Sequence, residues 1–117
     1  MAYRILVVDD EEDILALLRD LFTMKGYQVL TAATGEQALE QCSKAPDLIL
    51  LDVNMPGMDG FTLCKKIRDF LSCPILFLTA RVGDADKLKG VSAGGDDYIL
   101  TPFSTAELLA RVGAHLR

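Results

Sequence analysis

Apolar residues along this chain gather in short runs at even intervals: Ile5 to Val8, Leu48 to Leu51 and Ile75 to Leu78, then a shorter Tyr98 to Leu100. Runs of this length read as strands, and unbroken ones are expected where both faces of a parallel sheet are covered. Tyr27 to Thr31 alternates only in part, which predicts a more exposed strand at a sheet edge.

Helical patterns separate the runs. Ile14, Leu17, Leu18, Leu21 and Phe22 recur at helical spacing on one stripe, and Gly26 is placed to end that helix. Thr34 with Gln37, and Ser104 with Glu107, are capping-box pairs that open the second and last helices. A third helix follows the turn Pro56-Gly57-Met58-Asp59-Gly60 and offers Leu63, Cys64 and Ile67 as its inner face. A short fourth, from Asp84 to Val91, offers Leu88 and Val91, and the Gly94-Gly95 pair releases the chain. Strands joined by crossover helices pair in parallel with right-handed connections, so the expected fold is a doubly wound α/β sandwich of five strand-helix units. One domain covers residues 1–117, with no internal repeat or linker. The last residues, Leu116 and Arg117, lie on a helical pattern, so a continuation is expected beyond them.

Composition narrows the function. Half of the 117 residues are hydrophobic and a quarter charged, which suits a single packed core. Acidic residues outnumber basic ones 17 to 12, for a net charge of -5, and no basic block is present that could track a phosphate backbone. Nucleic-acid binding by this segment alone is therefore not expected. Cys42, Cys64 and Cys73 are odd in number and embedded in apolar sequence, which reads as small buried hydrophobes in a reducing cytosol. The start MAYRILVV lacks a secretory leader pattern and no apolar run approaches the roughly 18 residues of a membrane span, so a cytoplasmic domain is expected.

Ligands of an open parallel sheet collect outside the carboxyl ends of its strands. The first run ends in Asp9 and Asp10, the third in Asp52, the fourth in Thr79 and the fifth in Thr101-Pro102. Three carboxylates crowded at one sheet edge repel one another unless a cation intervenes, and hard oxygen ligands suit Mg²⁺. A carboxylate beside such an ion can attack phosphorus in line. Asp52 is the expected nucleophile, with Asp9, Asp10 and the backbone carbonyl of Asn54 as metal ligands and the Thr79 hydroxyl as donor to a phosphoryl oxygen. Plainer readings stay open. The acids from Asp9 to Asp13 also suit a helix N-terminus, Asp52 a turn, and Thr79 a strand end.

This arrangement resembles the receiver domains of bacterial two-component response regulators, in I-L-V-V-D-D-E at 5–11, D-L-I-L-L-D-V-N-M-P-G-M-D-G-F at 47–61, P-I-L-F-L-T-A-R at 74–81 and G-G-D-D-Y-I-L-T-P-F-S at 94–104. The resemblance spans essentially the whole chain. It implies a flavodoxin-like sheet of order 2-1-3-4-5, Asp52 as phosphoacceptor, a sensor histidine kinase as phosphoryl donor, Mg²⁺ held by Asp9, Asp10 and Asn54, Thr79 as switch hydroxyl and Tyr98 as switch aromatic. The final segment resembles the branch whose receivers precede a winged-helix DNA-binding domain, which would lie beyond residue 117, and control transcription. By that likeness the chain forms homodimers through helix 4, strand 5 and helix 5, with Lys87, Asp96, Asp97, Glu107 and Arg111 as interface charges. Tyr98 also suits a permanently packed ring, and those charges a solvated surface.

One position departs from the family pattern: Thr101 stands before Pro102-Phe103 where the family carries lysine. A threonine hydroxyl is shorter than a lysine stem and carries no charge, so weakened phosphorylation is expected, and Arg81, two residues after Thr79, is a compensating cation. The same departure admits a phosphorylation-independent interaction module. A small enzyme acting on a diffusible substrate fits poorly, because Asp9-Asp10-Glu11-Glu12 replaces the glycine-rich phosphate loop and the lone His115 lies far along the chain from Asp52. By the family pattern the Thr101-Pro102 bond is expected to be cis.

Overall fold

Alternate residues of each central strand face opposite ways, and here both sets are apolar, so the sheet is covered on both sides. The computed structural model describes residues 2–81 and 83–117; Met1 and Val82 lie outside them. In chain order the elements are β1 (Arg4–Val8), α1 (Glu12–Met24), β2 (Gln28–Ala32), α2 (Gly35–Gln41) followed by a single 3₁₀ turn (Cys42–Lys44), β3 (Leu48–Asp52), α3 (Gly60–Arg68), β4 (Ile75–Thr79), α4 (Asp84–Ser92), β5 (Asp97–Leu100) and α5 (Thr105–Leu116).

The strands form one parallel sheet in the order β2-β1-β3-β4-β5. Leu6, Val8, Ile49, Leu51, Ile75 and Phe77 point to the side covered by α2 and α3, meeting Ala38, Leu63, Cys64 and Ile67. Ile5, Val7, Leu48, Leu50, Leu76 and Leu78 point to the side covered by α1 and α5, meeting Leu15, Leu18, Phe22, Leu108 and Val112. Each large side chain buried this way stabilises the fold by roughly 1.5–3 kcal/mol. β2 is the half-buried edge strand that its partial alternation predicts.

Both N-cap bonds form at their helix starts, and only the first pair is reciprocal. Thr34 Oγ1 accepts from Gln37 N, while the Gln37 side chain reaches back to Ala33 N. Ser104 Oγ accepts from Glu107 N, but the Glu107 carboxylate pairs forward with Arg111 instead of folding back.

Three expectations from hydrophobic spacing need correction. Leu17 is half exposed, and Leu15 takes the inward position of α1 beside Leu18 and Phe22. Leu88 and Val91, expected to be the inner face of α4, are 66% and 71% exposed. Helix α4 instead lays Gly90 against the sheet, where a Cβ would press on the rings of Phe77 and Tyr98. Cys73 is only half-buried, unlike Cys42 and Cys64. Among the described residues no helix is long and apolar enough to cross a membrane.

Candidate functional site

Parallel pairing carries the ends of the central strands to one edge. Val8 is level with Leu51, Asp52 with Leu78 and Thr79 with Leu100, so Asp9, Asp52, Thr79 and Thr101 all emerge on the same side. They line a cleft of about 240 Å³ together with Glu11, Ile14, Asn54, Leu78, Ala80 and Phe103. Asp10 completes the acidic group: one carboxylate oxygen from each of Asp9, Asp10 and Asp52 lies within 4.8 Å of the others.

Local backbone fixes these acids. Asp9 sits one residue past β1, where its N–H donates to Ala32 O and its Oδ1 accepts from Glu11 N at 2.9 Å. Asp52 ends β3, and its Oδ1 accepts from Asn54 N at 3.3 Å. The loop that follows is closed by Gly60, whose N–H donates to Val53 O; a Cβ there would run into the Asp52 carbonyl oxygen and the Val53 backbone. Asp59 caps α3 through a 2.8 Å bond from Thr62 N, which holds its carboxyl below the usual range.

Burial pushes the Asp52 carboxyl up to about 7, with the Asp9 charge adding to it and the Asn54 N–H opposing. Burial likewise raises Asp9 to about 6, against the bond from Glu11 and with the help of the Asp10 and Glu11 charges. Hard, partly buried oxygens that repel one another are a donor set that suits a small divalent cation. These residues fit such an ion.

Thr79 is 2% exposed, and its Oγ1 accepts from Arg81 N at 3.2 Å. Thr101 lines the cleft and its N–H donates to Thr79 O; the Thr101-Pro102 bond is cis, as expected from the resemblance. Arg81 reaches the cleft through Asn54, one of its lining residues, its Nε donating to Asn54 Oδ1 at 2.8 Å. Tyr98 packs its ring 6.1 Å from that of Phe77 and carries a buried hydroxyl without a hydrogen-bond partner among the described residues.

Four of the five charges expected on a dimer face, Asp96, Asp97, Glu107 and Arg111, are engaged within the chain. Asp97 accepts from Arg111 at 2.8 Å and lies 3.1 Å from His115 Nε2, so His115 is a partnered residue and not a free surface group. Arg111 also pairs with Glu107, and Asp96 pairs with Arg68 at 2.6 Å. Lys87 lies beside Gly90, Val91 and Tyr98 along the groove between α4 and β5.

Two features escape a sequence reading. Arg68 donates to the carbonyls of Gly94 and Cys73 and to Asp96, fastening the end of α3 to the starts of β4 and β5. Gly95 packs where a Cβ would strike Phe77. The Gly94-Gly95 pair signalled a turn, but not this close approach; Arg68 carried no signal beyond being a cation near a helix end.

Known proteins share this plan. Residues 5–113 match the model of the response regulator receiver domain. An uncharacterized transcriptional regulatory protein of Bacillus subtilis, YrkP, is 53% identical over the whole chain, which covers 51% of that relative. The chain thus spans about half the length of the curated relatives it matches. A two-component response regulator from Clostridium difficile superposes with a TM-score of 0.95 at 35% identity, covering 98% of this chain and 96% of that one. The BeF3-activated N-terminal receiver domain of Klebsiella pneumoniae RstA superposes at 0.92 and 35% identity, covering 97% and 98%. With sheet order, acidic cleft and sequence in agreement, this chain belongs to the response regulator receiver domain family.

Proposed function

We propose that this receiver takes a phosphoryl group onto Asp52 from the phosphohistidine of a sensor histidine kinase. The observation that carries the proposal is the convergence of Asp9, Asp10 and Asp52 within 4.8 Å beside Thr79 in one cleft. An Asp52 carboxylate oxygen forms the new P–O bond, the donor's P–N bond breaks, and the electron pair leaves with the imidazole nitrogen. Water later attacks phosphorus and returns phosphate and free Asp52. Little covalent chemistry falls to the protein, which works by position and charge.

Asp9, Asp10, Asp52 and the backbone carbonyl of Asn54 would hold Mg²⁺, which when bound supplies positive charge against the acids and the transferring group. The Thr79 hydroxyl, almost wholly buried and lining the same cleft as Asp52, donates to a phosphoryl oxygen. Its movement and that of Tyr98 are coupled across the paired strands β4 and β5, which carry Thr79 and the buried Tyr98 hydroxyl.

The output surface in this reading is α4-β5-α5, with Leu88 and Val91 exposed among Lys87, Asp96, Asp97, Glu107 and Arg111. Homodimer formation there requires Arg111 and Asp97 to exchange some present partners for those of a second copy. Such exposed pairs set register more than affinity. A DNA-binding domain following residue 117 would convert dimerisation into transcriptional control in the cytoplasm. Support comes from the curated relatives, which carry regulatory names and are about twice as long.

Incubation with a small acyl phosphate and Mg²⁺, followed by intact mass, tests the reading. One phosphoryl mass is expected on the wild type and none on Asp52→Asn. A wild type that dimerises without ever gaining that mass would overturn the proposal in favour of a phosphorylation-independent module.

A further inference from the structure

The cleft at Asp52 is lined by Asp9, Glu11 and Asp52 and, among the described residues, by no lysine or arginine. A phosphoryl group there adds negative charge to a place already crowded with it. Thr101, at the end of β5, offers only a short neutral hydroxyl. Arg81 is joined to the cleft from two sides. Its backbone N–H donates to Thr79 Oγ1 at 3.2 Å, and its Nε donates at 2.8 Å to Asn54 Oδ1, whose own N–H donates to Asp52 at 3.3 Å.

The remaining contacts of the guanidinium are loose. Asp86 is 3.4 Å away, the Phe61 ring centroid is 5.8 Å away, and the side chain is 35% exposed. A long side chain held this lightly turns toward a new anion at little cost, and its planar fork suits phosphoryl oxygens.

We propose that Arg81 is the side chain that places positive charge on the phosphoryl group at Asp52, with Asn54 holding the guanidinium to the cleft. The inference rests on the phosphoacceptor reading. It gives Arg81 a role in charge compensation that Thr101 cannot fill.

Beryllofluoride, a phosphoryl mimic that coordinates a carboxylate, supplies the test when titrated at saturating Mg²⁺ and followed by ¹⁹F NMR. Arg81→Gln is expected to raise the half-saturating concentration by about tenfold, the scale of one charge-assisted hydrogen bond. Arg81→Lys should recover most of that loss, and Thr101→Lys added to Arg81→Gln should restore binding. Mg²⁺ affinity without beryllofluoride and the melting temperature should not fall in Arg81→Gln. Binding by Arg81→Gln equal to wild type would overturn the inference. So would an Arg81→Lys as weak as Arg81→Gln, or a parallel fall in Mg²⁺ affinity and melting temperature, either of which marks a structural role. If the wild type itself takes up no beryllofluoride, the phosphoacceptor reading fails and this inference with it; a failure confined to the variants leaves that reading standing.

Discussion

Asp52 and Asp9 reach the same cleft from the ends of β3 and β1, with carboxylate oxygens within 4.8 Å of each other and of Asp10. Among the described residues neither acid has a basic side chain bonded to it, and each is raised by burial together with its acidic neighbours. Such crowding of like charges destabilises the fold locally unless a cation offsets it, and several measurements should register it.

Neutralising Asp52 should stabilise the metal-free protein. Its folded pKa, about 7, lies above the ordinary 3.8, so ionisation costs nothing below pH 3.8 and destabilises the fold as pH rises through 7. Asp52→Asn is expected to be more stable than wild type by about 1–2 kcal/mol at pH 8, discounted for the partial exposure of the site. The gain should vanish near pH 4. Urea unfolding in EDTA at both pH values reads this directly.

Mg²⁺ should raise the melting temperature of the wild type. A ligand that binds only the folded state at ten times its Kd contributes about 1.4 kcal/mol. The rise is expected to be larger at pH 8 than at pH 5.5, because protonated Asp9 and Asp52 are poorer ligands. Asp9→Asn combined with Asp10→Asn should abolish it, with differential scanning fluorimetry as the measurement.

Gly60→Ala should damage the site without touching an acid. The added methyl would meet the Asp52 carbonyl and the Val53 backbone, which have no flexible end to move aside. A loss of about 1–3 kcal/mol is expected from such overpacking, along with weaker Mg²⁺ binding as the loop shifts. Equal stability and equal Mg²⁺ affinity in the variant would show that the loop relaxes freely.

Removing Arg68 should loosen the β5 side of the sheet. Arg68→Ala leaves the carbonyls of Gly94 and Cys73 and the Asp96 carboxylate without their donor, a loss of about 2 kcal/mol. Arg68→Lys should recover only part, because an ammonium cannot reproduce the fork. Hydrogen exchange of the β5 amides should speed up in Arg68→Ala while that of β1 stays slow.

Apolar runs ending in acids were enough to predict the α/β class, the strand positions and the acidic edge. Ile5 to Val8 and Leu48 to Asp52 admit few other readings, because an unbroken apolar run must be covered on both faces and a terminal carboxylate must lie at the rim. Helix orientation was less legible where the spacing was short or ambiguous. Leu88 and Val91 fit an inner face by type, but the two rings at β4 and β5, Phe77 and Tyr98, crowd the space against them, where even a Cβ would lie 3.2–3.3 Å from the rings, and Gly90 takes the inward position.

The sequence by itself determined the order of elements, the residues at each strand end and the absence of lysine at Thr101, since these depend on periodicity and position along one chain. Only tertiary structure decided which polar and charged groups meet. Arg81 joins Asn54 across 27 residues, Arg68 joins Asp96 across 28, and Asp97 takes up His115 across 18. Such pairings follow from strand order and helix packing, which place distant segments within a few ångströms, and hydrophobic spacing carries no record of them.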